Sequence, residues 1–96
     1  MSLEEIDAAV ARRYGVDAAV LKTHGHHAGP AKAVAVALAS RLADVKGRVI
    51  GEHYGISSFA IVAIHRRSAA RPEVVATVES LAKQLSRKRV KYKVQA

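Results

Sequence analysis

The 96-residue chain contains no cysteine, no tryptophan, one phenylalanine and three tyrosines. Without cysteine there is no disulfide, no thiolate zinc site and no thiol nucleophile. So few aromatics beside 19 alanines and 13 valines suit closely packed helices, and do not suit the bulky lining of a large ligand pocket. No apolar run approaches the ~18 residues of a membrane span, and no charged segment precedes an apolar one as in a secretory signal. The chain has no Gly-x-x-x-x-Gly-Lys-Ser/Thr phosphate loop. Neither a Ser–His–Asp order nor a pair of catalytic carboxylates can be assembled from its few candidates. These absences argue against an enzyme, a cofactor or a membrane association, and make a cytoplasmic protein the expectation.

What remains is enough chain for one small domain, half of it apolar and a quarter of it charged, a composition that folds. Its charge is the most informative quantity. Sixteen Lys and Arg face eight Asp and Glu, for a net of +8. Residues 1–44 hold five of each sign, whereas residues 45–96 hold eleven basic and three acidic. All of the excess lies in the second half, which points to a polyanionic partner.

The pattern along the chain is helical. Ser2-Leu3-Glu4-Glu5 is a capping box, followed by Ile6, Ala9, Val10 and Tyr14 on one helical face and by Gly15 as a left-handed stop. Met1-Ser2-Leu3 also fits a remnant placed before a domain cut from a longer chain. Asp17 caps a short helix through Leu21, and a loop with Lys22, His24, His26, His27, two glycines and Pro30 follows. Residues 31–42 form a central helix, with Val34, Leu38 and Leu42 on a stripe and Ala35, Ala37 and Ala39 permitting close approach. Asp44 is expected to cap the next helix, which carries Val49, Ile50 and Tyr54 inward and ends at Gly55. Ser57 or Ser58 caps another, from Phe59 to about residue 67, with Ile61 and Ile64 facing the core. Pro72 opens the last helix, whose stripe is Val74, Val78, Leu81, Ala82 and Leu85. Over residues 86–96, Arg and Lys alternate with Val90, Tyr92 and Val94. A lone strand has no partner, so the reading is a domain over 1–86 and a frayed or disordered basic arm over 87–96. The fold class expected is all-α, with five or six helices.

Residues 44–67 carry the functional signal. Two short helices separated by a Gly-led turn of about three residues make a helix-turn-helix. The second helix of such a pair fits the major groove of DNA, and its N-terminal dipole and N–H groups favour phosphates or base edges. Ser57 and Ser58 stand at that leading end, Lys46 and Arg48 at the start of the first helix, and His65, Arg66 and Arg67 at the end of the second. Helix–Gly–helix pairs also occur in all-α domains that never meet DNA, so the basic half-chain is needed to support this reading.

The order Ile6…Ala9-Val10…Tyr14-Gly15-Val16…Leu21, a basic loop, Lys32 to Ala39, Ile50-Gly51-Glu52-His53-Tyr54-Gly55 and Ala60-Ile61…Arg66-Arg67 resembles a known family. It is similar to the C-terminal DNA-binding domain of the bacterial replication initiator DnaA. It is more similar still to the DnaA-type domain of REP-associated, single-tyrosine transposase-like proteins, where Gly55 to Ile61 matches a Gly-Ile-Ser-aromatic-Ser-Ala-Val run. The resemblance spans residues 3 to about 85. It implies a Trp-repressor-like, all-helical fold that binds double-stranded DNA in a nucleoid-associated bacterial protein, with a parent catalytic domain as a further partner. Carried over residue by residue, it implies loop contacts at Lys22 and His24, a contact at Lys32, backbone contacts at Lys46, Gly47 and Arg48, and base reading at Ser57, Ser58 and Phe59. DnaA's Arg-Asp-His-Thr-Thr run is replaced here by Ile56, Ser57, Ser58, Phe59 and Ala60, so DnaA-box specificity is not carried over.

Other readings stand beside this one. The His24-Gly25-His26-His27 run invites a metal, but no carboxylate or cysteine lies close by to complete a site. Tyr14 and Tyr54 belong to the core. Phe59 suits either the core or a thymine methyl. The basic tail suits a nucleic-acid arm, with Tyr92 stacking on a base and RNA as an alternative target, or a solubilising segment. The competing function is a protein-interaction or self-association module whose charge serves solubility, recognisable by an exposed apolar patch.

Overall fold

Ser2 opens the chain's first helix with the hydrogen bonds its spacing predicts. Its Oγ accepts from the Glu5 N–H at 3.1 Å, and the Glu5 carboxylate accepts from the Ser2 N–H at 3.4 Å. A computed structural model describes residues 1–22 and 30–95, with side chains as far as Arg87. Within them, α1 (Leu3–Tyr14) is followed by a 3-10 helix (Ala18–Lys22), α2 (Ala31–Leu42), α3 (Gly47–Tyr54), α4 (Ser58–Ala69) and α5 (Pro72–Gln95). The fold is all-α, and no strand occurs among the described residues. The loop with His24, His26 and His27 lies outside them.

Local signals set most boundaries. Gly15 closes α1 in the left-handed region at φ 65°, and Val16 donates back to the Ala11 carbonyl at 3.0 Å. Asp17 Oδ1 accepts from the Ala19 N–H at 3.0 Å and starts the 3-10 helix. Ser57 Oγ accepts from the Ala60 N–H at 3.1 Å and starts α4. Pro72 is the first residue of α5, where its missing N–H breaks no helical bond.

Two boundaries differ from the sequence expectation. Asp44 does not cap α3. The helix begins at Gly47, after an extended Lys46 whose side chain makes no capping bond, and it is eight residues long. Ile50, Gly51 and Tyr54 form its inward face, and Val49 lies to one side, 41 % exposed. The second difference is the tail. The backbone does not break near residue 86, and α5 runs to Gln95. Extending an existing helix adds one hydrogen bond per residue fixed, whereas a separate strand has no ladder to join. Arg, Lys and Gln are good helix formers, and cations suit the negative end of the helix dipole.

The core is arranged around α2. Ala31, Val34, Ala35, Val36, Leu38 and Ala39 are completely buried, and α2 packs against α1, the 3-10 helix, α3, α4 and α5. Ile6, Val10, Leu21, Tyr54 and Val74 close over it from the neighbouring elements. Val36 and Ala31 join the predicted stripe because the helix is enclosed on more than one side.

Two glycines shape the passage from α3 to α4. Gly55 takes the left-handed conformation at φ 68°, and the Ile56 N–H turns back to the Gly51 carbonyl at 2.8 Å. Gly51 is needed for space: a Cβ there would stand 2.7 Å from the Ile56 carbonyl oxygen, a backbone atom that cannot move aside cheaply. Gly47 is different, since a Cβ there meets nothing within 4 Å. Gly51→Ala is therefore expected to cost about 1–3 kcal/mol through forced backbone shift. Gly47→Ala is expected to stay within about 0.5 kcal/mol of the parent. Urea unfolding followed by circular dichroism checks the pair, and equal midpoints would show that the turn does not depend on that close approach.

Candidate functional site

The α3–α4 pair is tied to the body of the protein by a polar contact that the sequence did not reveal. Asp7 on α1 is only 4 % exposed. Its Oδ1 accepts from the Tyr54 hydroxyl at 2.7 Å, and its Oδ2 lies 2.6 Å from His53 Nε2. The His53 and Tyr54 rings meet edge to face, with centroids 4.7 Å apart. Both carboxylate oxygens are engaged, which a buried charge requires. Although acid, imidazole and phenol are gathered here, the carboxylate and phenol are sealed in the core, and the trio acts as a clamp between α1 and α3. Burial first, and then the Asp7 carboxylate, push the Tyr54 phenol well above its ordinary value.

A second tie holds α4. His65 is half-buried, and its Nε2 lies 3.0 Å from the Ser40 hydroxyl of α2. It lines a small cavity of about 160 Å³ with Ala37, Ser68 and Val74. His65, expected at the DNA with Arg66 and Arg67, instead faces α2, because adjacent helical residues point about 100° apart.

The outward face of the pair holds most of the other predicted residues. Lys46, Gly47 and Arg48 are exposed at the start of α3, and Ser57, Ser58 and Phe59 are exposed at the start of α4. Arg66 and Arg67 are exposed toward the end of α4. Arg48 pairs with Glu52 one turn on, at 3.2 Å, an exposed contact worth about 0.3–0.5 kcal/mol. Glu52 is the single acidic residue between positions 45 and 71, against five basic ones. Phe59 is 89 % exposed and Val62, next along the same face, 55 % exposed, which settles that Phe59 is not core. At the head of α4, Ser57 satisfies the Ala60 N–H, and the Ser58 and Phe59 N–H groups are those that a helix start leaves without a partner inside the helix.

Lys22 is exposed at the end of the 3-10 helix, its carbonyl oxygen 3.5 Å from where a Cβ on Gly55 would stand, and Lys32 is half-buried on α2, where burial lowers its pKa. His24 lies outside the described residues. Among the described residues no group of three or more His, Asp or Glu is placed to hold a metal ion, and no helix is long and apolar enough to cross a membrane. Sequence reasoning missed Asp7 and His53 because they are 46 positions apart. The available hint was an acid on the otherwise apolar face of α1. No protein-family model matches the chain, and no curated protein matches it.

The clamp has a pH signature. Folded Tyr54 keeps its proton above its ordinary pKa of 10.0, whereas unfolded Tyr54 releases it there. The unfolded state then binds fewer protons, so this contribution is complete below pH 10 and is lost as pH rises further. Tyr54→Phe is expected to cost roughly 1.5–3 kcal/mol at neutral pH, by leaving a buried carboxylate oxygen short of a donor, and to fall less steeply with alkali than the parent. Urea midpoints for both proteins on either side of pH 10 check this, and parallel alkaline limbs would remove the clamp's titration from the account.

Proposed function

We propose that the chain binds double-stranded DNA, with α4 laid in the major groove and the start of α3 against the phosphate backbone. The observation that carries this reading is the shared outward face of α3 and α4. It exposes Lys46 and Arg48 at the start of α3 and Arg66 and Arg67 toward the end of α4, with Glu52 the one carboxylate on the two helices, and a helix start whose N–H groups favour an anion. The resemblance of residues 3–85 to DnaA-type DNA-binding domains supports the same reading. It suggests the recognition module of a replication-initiator-like or transposase-like protein, in which any catalysis belongs to another domain.

A second reading draws on exposed Phe59 and Val62: a helical interaction module that docks a protein through α4. The two separate in a salt titration. If Lys46, Arg48, Arg66 and Arg67 each neutralise one phosphate, log K for a duplex falls against log salt with a slope of about −3.6. A mixed-sequence duplex, measured by fluorescence anisotropy, should bind more tightly than its single strand or an acidic polymer. Lys46→Glu and Arg66→Glu should each flatten the slope by about 1 while the helical signal is unchanged. Glu52→Gln should tighten binding by removing a carboxylate from the phosphate side. Equal affinity for the three polyanions would reduce the reading to charge alone, and no binding at moderate salt would leave the protein-docking reading.

A further inference from the structure

The outer face of α4 is unusual for a surface that would read bases. From His53 through His65 the sequence has no Arg, Lys, Asn, Gln, Asp or Glu, the side chains that pair most specifically with guanine, adenine and cytosine edges. The first is Arg66, more than two turns beyond the start of the helix. Ser57 already uses its oxygen to cap Ala60. What the leading end does present to solvent is Phe59, with nine-tenths of its surface exposed, and Val62, three residues on and on the same face. An aromatic ring held in water needs an apolar counterpart, and the major groove offers one such group, the C5-methyl of thymine.

We infer that Phe59 and Val62 read thymine by packing on its methyl group, so that base preference here is apolar rather than hydrogen-bonded. The inference rests on the duplex-DNA reading above and names what that site selects. Charge decides the occupant. Lys46, Arg48, Arg66 and Arg67 are exposed on the same two helices, and Arg66 stands one turn beyond Val62 on its face of α4. A phosphate-lined groove matches these cations, whereas an apolar protein groove would have to strip them of water. Five-methylcytosine carries the same methyl at the same ring position and is accepted on the same terms.

The test compares one mixed-sequence duplex in three forms at fixed salt: with thymine, with deoxyuridine replacing every thymine, and with deoxyuridine plus 5-methylcytosine. Each packed methyl lost is expected to weaken binding about fourfold, the transfer value of one buried carbon, and methylated cytosine is expected to restore part of it. Phe59→Ala should narrow the gap between the thymine and deoxyuridine duplexes, and Phe59→Ala with Val62→Ala should bring them to equal affinity, with the salt slope unchanged in both. Folding is not at issue for a side chain so exposed, and circular dichroism verifies it. Equal binding of thymine and deoxyuridine duplexes by the parent protein overturns this inference and leaves duplex binding standing. Absence of any duplex binding overturns both. A dimer in sedimentation that Phe59→Ala dissolves would assign the face to self-association and overturns the inference as well.

Discussion

Everything in this fold leans on one helix of small side chains. α2 is enclosed by every other element, and its alanines let those elements approach close to its axis. That enclosure carries little energy per residue, since an alanine buries little surface. The larger gain comes from the Ile, Leu, Val and Tyr side chains that close over it, each worth about 1.5–3 kcal/mol when fully buried. The constraint is therefore steric before it is energetic. A larger side chain at Ala35 or Ala39, both at zero exposure, would push apart elements that have no room to yield.

The same economy of space governs the α3–α4 pair. Gly51 lets the chain fold back until the Ile56 carbonyl occupies the volume of an absent Cβ. The Asp7 carboxylate then fixes α3 from the other side through Tyr54 and His53. A buried carboxylate is a poor source of net stability but a strong source of uniqueness, because any displacement of α3 leaves its charge unpaired. α4 is held in turn by Ile61 in the core and by the His65–Ser40 contact. Arg41 and Glu79, 2.6 Å apart and half-exposed, add a modest link from α2 to α5.

Much of this was legible in the sequence, for a reason that can be stated residue by residue. Ser2, Gly15, Asp17, Gly55, Ser57 and Pro72 act on backbone groups within a few positions of themselves, so their spacing alone places the element ends. α2 was legible because its run of small and apolar residues has helical period and no breaker between Pro30 and Leu42. The misreadings lie where a local cue competes with something non-local or with chain continuity. Asp44 has the chemistry of a cap, but the chain bends at Val45, Lys46 is extended, and the helix starts only at Gly47. Residues 87–96 read as a frayed or disordered arm because their strand-like alternation has no partner, but the backbone of α5 continues to Gln95. His65, next to Arg66 and Arg67, meets Ser40, 25 positions away. The Asp7–His53–Tyr54 clamp joins positions that no sequence window contains.

These placements divide the polar residues of α3 and α4 by task. Those that face inward, His53, Tyr54 and His65, are committed to Asp7 and Ser40 and hold the helices still. Lys46, Arg48, Arg66 and Arg67 are exposed, and Arg48 pairs with the exposed Glu52. Rigidity and charge are thus supplied by different side chains on the same two helices. In the DNA reading this has a specific consequence: the exposed cations add affinity that depends on salt, while Phe59 and Val62 add a contact that does not, since transferring an apolar surface from water releases no counterion. Raising salt would therefore weaken binding to every duplex together and leave the ratio between thymine-rich and thymine-poor duplexes nearly constant, so that selectivity persists where affinity fades.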